Sequence, residues 1–155
     1  WDKTVPTTMP AEDVTITAKT FTNEGTINVG AESSFVVTDG LPAGQIVRTV
    51  EGTETVADIN ALITNTNLNT LNVTDVEWTG LDALADWTGV TVNMTSAKIS
   101  STDAINVNAL VIAGNENEVT CTTLTVTEPI TIPAEADAEI NADVVGAVVA
   151  NGADF

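Results

Sequence analysis

The chain has 155 residues and a formal net charge of −18, set by 22 acids against Lys3, Lys19, Arg48 and Lys98. A hydrophobic fraction of 43% and a mean hydropathy of +0.19 exclude a disordered chain, because enough apolar surface is present to form a core. The charge repels phosphate backbones and anionic headgroups, so neither nucleic acid nor a membrane surface is an expected partner.

In chain order, Val14, Ile16 and Ala18 alternate with polar residues, Asn23-Glu24-Gly25 forms a turn, and Ile27 and Val29 resume the alternation. This pattern over Val14–Phe35 predicts a β-hairpin with threonines on its wet face. Residues 35–50 repeat the theme, with a Gly/Pro-rich turn from Asp39 to Gly44 between two apolar runs. The period then changes. Val56, Ile59, Leu62 and Ile63 fall at helical spacing, and Thr55 with Asp58 makes a capping-box pattern, so a helix is predicted over Thr55–Asn65.

Leu71, Val73 and Val76 mark a following strand, and Leu81, Leu84 and Trp87 share one side of a short helical stretch. A strand from Val90 is next, then strands around Ala109–Ala113, Leu124–Thr127, Ile130–Ile132 and Ile140–Val145. Cys121 lies in the alternating run VTCTTLTV, where a small buried hydrophobe is expected; alone, it forms no internal disulfide.

Leu71, Val90, Leu110, Leu124 and Ile140 are spaced by 19, 20, 14 and 16 residues, lengths that suit a solenoid with one strand per coil. Asparagines at 65, 67, 69, 72, 106, 108, 115 and 117 fit coil corners and side-chain ladders between coils. The predicted fold is therefore mainly β: a partial β-module followed by a short-coil β-solenoid, β-helical or leucine-rich-repeat-like in rhythm, with one or two short helices. An antiparallel β-sandwich of the same strands is the alternative. The expected divisions are residues 1–20 as the end of a module, 21–53 as a hairpin linker or solenoid cap, and 54–155 as the solenoid.

No secretory signal, lipidation motif or apolar run of membrane-spanning length occurs in the chain. It opens on Trp1 in the middle of a pattern and reads as a processed or excised segment of something longer. Residues Trp1, Pro6, Met9, Pro10, Ala11, Val14, Ile16, Thr17 and Ala18 stand in the order and spacing of a known motif. That segment resembles the end of the Listeria–Bacteroides repeat, the internalin-type B repeat of bacterial surface proteins. The resemblance covers about an eighth of the chain. It implies a ubiquitin-like, non-catalytic spacer or adhesive module, and hence an extracellular or cell-surface setting.

Chemistry is sparse. Histidine and tyrosine are absent, which removes the commonest general base and the usual zinc ligand and makes Ser/His/Asp and Cys/His arrangements impossible within the chain. Two carboxylates suffice for glycoside hydrolysis. Asp75 and Glu77 share a face if residues 73–77 form one strand, Asp82 and Asp86 lie one helical turn apart, and Trp78 and Trp87 are near enough to stack on a sugar. The favoured reading places both indoles in the solenoid core. Calcium is the cofactor most compatible with the charge, with Asn115, Glu116, Asn117 and Glu118 as candidate ligands and a second cluster at Glu135–Glu139. Asn72 and Asn93 head glycosylation-type sequons, which here reflect the Asn and Thr content.

The expected function is a non-enzymatic structural or adhesive segment of a secreted multi-domain bacterial surface protein, acting on a protein or glycan partner at a surface, with self-association at an uncapped solenoid end. A virion structural or fibre domain is one alternative. A carbohydrate-binding or carbohydrate-hydrolysing β-helix is another.

Overall fold

A computed structural model describes residues 15–21, 25–30, 34–39, 46–51, 55–81 and 87–151. The Trp1–Val14 part of the module resemblance, together with Asp82, Leu84 and Asp86, lies outside them. The elements in chain order are β1 (Thr15–Ala18), β2 (Ile27–Asn28), β3 (Ser34–Val37), β4 (Ile46–Glu51), α1 (Val56–Asn65), β5 (Thr70–Thr74), β6 (Glu77–Leu81) and β7 (Trp87–Thr95). They continue with β8 (Lys98–Ser101), β9 (Ile105–Ala113), β10 (Asn117–Val126), β11 (Ile130–Ile132), β12 (Ala138–Val145) and β13 (Val148–Ala150).

Among the described residues eleven strands join into one wound sheet, a parallel β-solenoid of about five turns. On one strip β4, β5, β7, β9, β11 and β13 stack in register, and Leu71, Val92, Leu110, Ile130 and Val148 form a single column. Its offsets are 21, 18, 20 and 18 residues. A second strip stacks β6, β8, β10 and β12, with Trp78, Ile99, Val119 and Ile140 in one column. The irregular period in the sequence arises because Leu124 and Ile140 belong to different strips from Leu110. One coil carries more than one strand.

Among the described residues the two expected hairpin pairings are absent. β1 pairs with β3 and β2 with β4, both parallel, because each strand finds its partner one coil away rather than across a turn. β2 and β4 lie in the same large sheet as the later coils. The expected helical stretch before Trp87 is also corrected at its two ends: Leu81 closes β6 and Trp87 opens β7.

The helix is where the pattern places it. Thr55 caps α1: Asp58 N–H donates to Thr55 Oγ1 at 3.4 Å and Thr55 N–H donates to Asp58 Oδ2 at 2.9 Å. Val56, Ile59 and Leu62 form its buried face. Val56 and Ile59 pack into the main core, while Leu62 belongs to a second cluster with Ile27, Val29, Ile46 and Leu68, so α1 bridges the two. The Thr55 hydroxyl and amide together hold the Asp58 carboxyl below its ordinary value of 3.8. A depressed folded-state value adds stability above the unfolded value, and this is lost as pH falls through the folded one. We therefore expect α1 to fray on acidification below about pH 4, read as lost helical circular dichroism. Thr55→Ala should abolish that pH step and destabilise the chain by about 1 kcal/mol.

Four consecutive coils turn the same corner with a residue other than glycine at positive φ: Asp75 (53°), Ser96 (51°), Glu116 (60°) and Glu135 (69°). The left-handed region costs roughly 1–2 kcal/mol for such residues, and the paired strands on both sides hold it. At the last corner Gly146 adopts φ 143°, and a Cβ there would run into the Val126 side chain and lie 2.9 Å from the Val126 carbonyl oxygen. Only glycine fits that approach.

Candidate functional site

The outer surface of the solenoid carries organised polar arrays. The first runs over β4, β5 and β7. Side chains alternate in and out along a strand, so Thr49, Asn72 and Asn93 share an outward column. Asn93 Nδ2 donates to Asn72 Oδ1 at 2.7 Å, and Asn72 Nδ2 donates to Thr49 Oγ1 at 3.2 Å. A neighbouring bond joins Asn108 Nδ2 to Thr91 Oγ1 at 3.2 Å. The ladders expected from the Asn content are thus present. They also occupy both sequon asparagines, which are half-buried within the array.

The second array is charged. Glu77, Lys98, Glu118 and Glu139 stand in register on β6, β8, β10 and β12. Lys98, Glu116, Asn117, Glu118, Asp137 and Glu139 line one groove at the adjoining corner. The fold therefore brings together the two clusters that the sequence offers as calcium ligands, Asn115–Glu118 and Glu135–Glu139. The groove nevertheless suits a cation poorly. Asn117 is buried, with 3% of its surface exposed, and its Oδ1 accepts the Ala97 N–H at 3.1 Å. Its Nδ2 donates to the carbonyls of Ala113 (2.9 Å), Gly114 (3.3 Å) and Asp137 (3.2 Å). The amide oxygen that calcium needs is already committed to the fold. The Lys98 ammonium lies in the same groove and opposes a second cation. Among the described residues no group of three or more acids lies close enough to hold a metal.

The candidate sugar residues are separated in a different way. Trp87 is 1% and Trp78 6% exposed, so both indoles belong to the core and neither presents a face for stacking. Trp87 Nε1 donates to Asn60 Oδ1 at 2.9 Å, tying the solenoid to α1. Asp75 and Glu77 do not share a strand face: β5 ends at Thr74, Asp75 occupies the left-handed corner, and β6 begins at Glu77. Both side chains are exposed. The lone Cys121 is buried as expected, and burial pushes its thiol up, keeping it protonated and unreactive.

No family model, no curated protein and no solved structure matches the chain. Among the described residues no helix is long and apolar enough to cross a membrane.

Two features of the site escape local sequence reasoning. Lys98 reads there as one of four cations, yet Glu77, Lys98, Glu118 and Glu139 recur at offsets of 21, 20 and 21 residues, close to the coil length. The hydrophobes one residue on, Trp78, Ile99, Val119 and Ile140, keep the same offsets. Asn117 as a corner residue has no local signal that separates it from Asn115, which is exposed.

Proposed function

We propose that this chain is a non-enzymatic structural or adhesive segment of a secreted, multi-domain bacterial surface protein. The supporting observation is the continuous parallel ladder: strands stacked coil upon coil, cross-linked on the outside by the Thr49–Asn72–Asn93 column and on the inside by the main apolar core. Such a stack gives a stiff, acidic rod with flat lateral faces for a partner. The B-repeat resemblance of Trp1–Ala18 supports the same setting; its described part, Thr15–Ala18, forms β1. Burial of both tryptophans removes the stacking surface on which the carbohydrate alternative relies.

A Glu-specific protease tests the rod. Glu116, Glu118, Glu128, Glu135 and Glu139 all fall in the later coils, and a tightly wound stack should leave these bonds intact under native conditions. Rapid native cleavage at Glu116 or Glu135 would remove the stalk reading. The parent gene upstream of Trp1 tests the setting: a secretion signal and the first strands of a B repeat support it, whereas neighbouring capsid or tail genes indicate a virion component.

A further inference from the structure

One lateral face of the solenoid carries no charge. β5 reads TLNVT and β7 ends TVNMT, so both present Thr-x-Asn-x-Thr outward, and β9 follows with Ala109, Val111 and Ala113. The three strands pair without a slip over these residues, giving the rows Thr70–Thr91–Ala109, Asn72–Asn93–Val111 and Thr74–Thr95–Ala113. Thr131 extends the middle row onto β11. The rows form a grid with steps of about 4.8 Å between coils and about 6.6 Å along a strand. Every grid position is half-buried or exposed, and none is charged in a chain with 22 acids.

The grid is also stiff. β5 and β7 are paired on both sides, which fixes their backbones. Threonine is confined to few rotamers by its branched Cβ. Asn93 is tied to Asn72 and Asn72 to Thr49, while Thr91 accepts from Asn108. These side chains therefore lose little freedom on meeting a partner. Hydroxyls, amides and methyls stand at repeating positions.

Size and chemistry select the occupant. From the strand spacings the grid covers on the order of 300 Å², well under the roughly 800 Å² per side of a stable protein interface. A second copy, or another protein, would be held too weakly. No aromatic ring stands on the grid for a sugar to stack on, and both Trp78 and Trp87 lie in the core. The lack of charge leaves no grip on an ionic polymer. A fitting partner is itself rigid, uncharged and periodic, with a hydrogen-bonding group at every lattice point. Lattice water has these properties. Hydroxyls and amides anchor its molecules, methyls between them favour a caged first shell, and many weak contacts act together when both lattices are rigid.

We propose that the β5/β7/β9 face binds ice through water ordered on the Thr/Asn grid. This deepens the adhesive reading by naming the surface that is held, and the two fail separately: a chain without affinity for ice can still be a protease-resistant rod.

The test places the full chain in solution around a slowly growing ice crystal. The readouts are the protein carried into the ice, measured by tryptophan absorbance, and the gap between melting and freezing points. The expected result is enrichment in ice over an unrelated acidic protein, faceted crystals, and a freezing point below the melting point. Thr74→Lys/Thr95→Lys, which plants two long cations in one row, should lower the enrichment by about fivefold or more, with circular dichroism and the urea midpoint kept. Thr74→Ser/Thr95→Ser keeps the hydroxyls and removes only the methyls; it should give a partial loss, and it carries the test if the lysine pair unfolds. Thr79→Lys/Glu139→Lys, at exposed positions of the second strip, should change nothing. Exclusion of the unsubstituted chain from ice would overturn the proposal. So would an equal loss in Thr79→Lys/Glu139→Lys, which reduces the effect to bulk charge. Retention on microcrystalline cellulose or chitin without entry into ice would overturn it too, making the grid a polysaccharide site.

Discussion

Trp87→Ala should destabilise the chain by about 3–5 kcal/mol, one of the two largest single-residue effects expected in this protein. Trp87 is 1% exposed and lies in the main core cluster, so truncation removes a large buried surface and leaves a cavity. The stacked strands cannot readily close it, because each is held by neighbours on both sides. The effect should also spread: the indole N–H is bonded to Asn60, so α1 loses a tether along with its packing surface. A lower urea midpoint, accompanied by loss of blue-shifted tryptophan fluorescence, measures it. Trp87→Phe should recover most of the stability while leaving Asn60 without its indole donor. If Trp87→Ala unfolds with an unchanged midpoint, the indole is not in the core and the sugar-stacking role reopens.

Asn117→Leu should cost about 2–3 kcal/mol, the second large effect, for the opposite reason. Little apolar packing changes, but the Ala97 N–H loses its acceptor and the Ala113 carbonyl its amide donor, while the carbonyls of Gly114 and Asp137 lose that donor and keep the backbone N–H of Asp137 and Asn117. Each buried polar group left unsatisfied costs roughly 1–3 kcal/mol. Asn117→Asp makes the distinction sharper. An ionised carboxylate can still accept from Ala97, yet it faces three carbonyl oxygens, which raises its folded-state pKa above the ordinary value near 3.9. With the folded value raised, the penalty is absent at low pH, grows as pH rises above the unfolded value, and is complete above the folded one. The Asn117→Asp variant should therefore be most nearly native in acid, the reverse of the Asp58 effect at the helix cap. Equal stability-against-pH profiles for the Asn117→Asp variant and the unsubstituted chain would show that the side chain does not face those carbonyls.

These two residues also mark the limit of what is legible in the sequence. The apolar character of Trp87 puts it in the core, but the local spacing also puts it on a helical stretch that it does not join; it opens β7 instead. Asn117 stands among three neighbours that together suggest calcium ligands, whereas its amide turns inward to serve the corner. Local composition assigns a residue type to turns, yet it does not say which of two nearby asparagines faces the core. The groove at Lys98 is illegible for a related reason: its members come from corners about 20 residues apart, and only stacking of coils makes them neighbours.

What the chain determines by itself is the local chemistry. Alternation along Leu71–Val73 and Ile130–Ile132 requires strands, the Thr55/Asp58 box with helical spacing requires α1, and the recurring asparagines foreshadow ladders. Those properties depend on residues within a few positions of one another, where propensity and side-chain reach act directly. What only the tertiary structure decides is pairing. A strand's alternating pattern buries one face but is indifferent to whether its partner runs antiparallel across a turn or parallel one coil away. Hence the hairpins expected at Asn23–Gly25 and Asp39–Gly44 give way to parallel pairs. The column of five apolar residues from Leu71 to Val148 exists only because the coils stack.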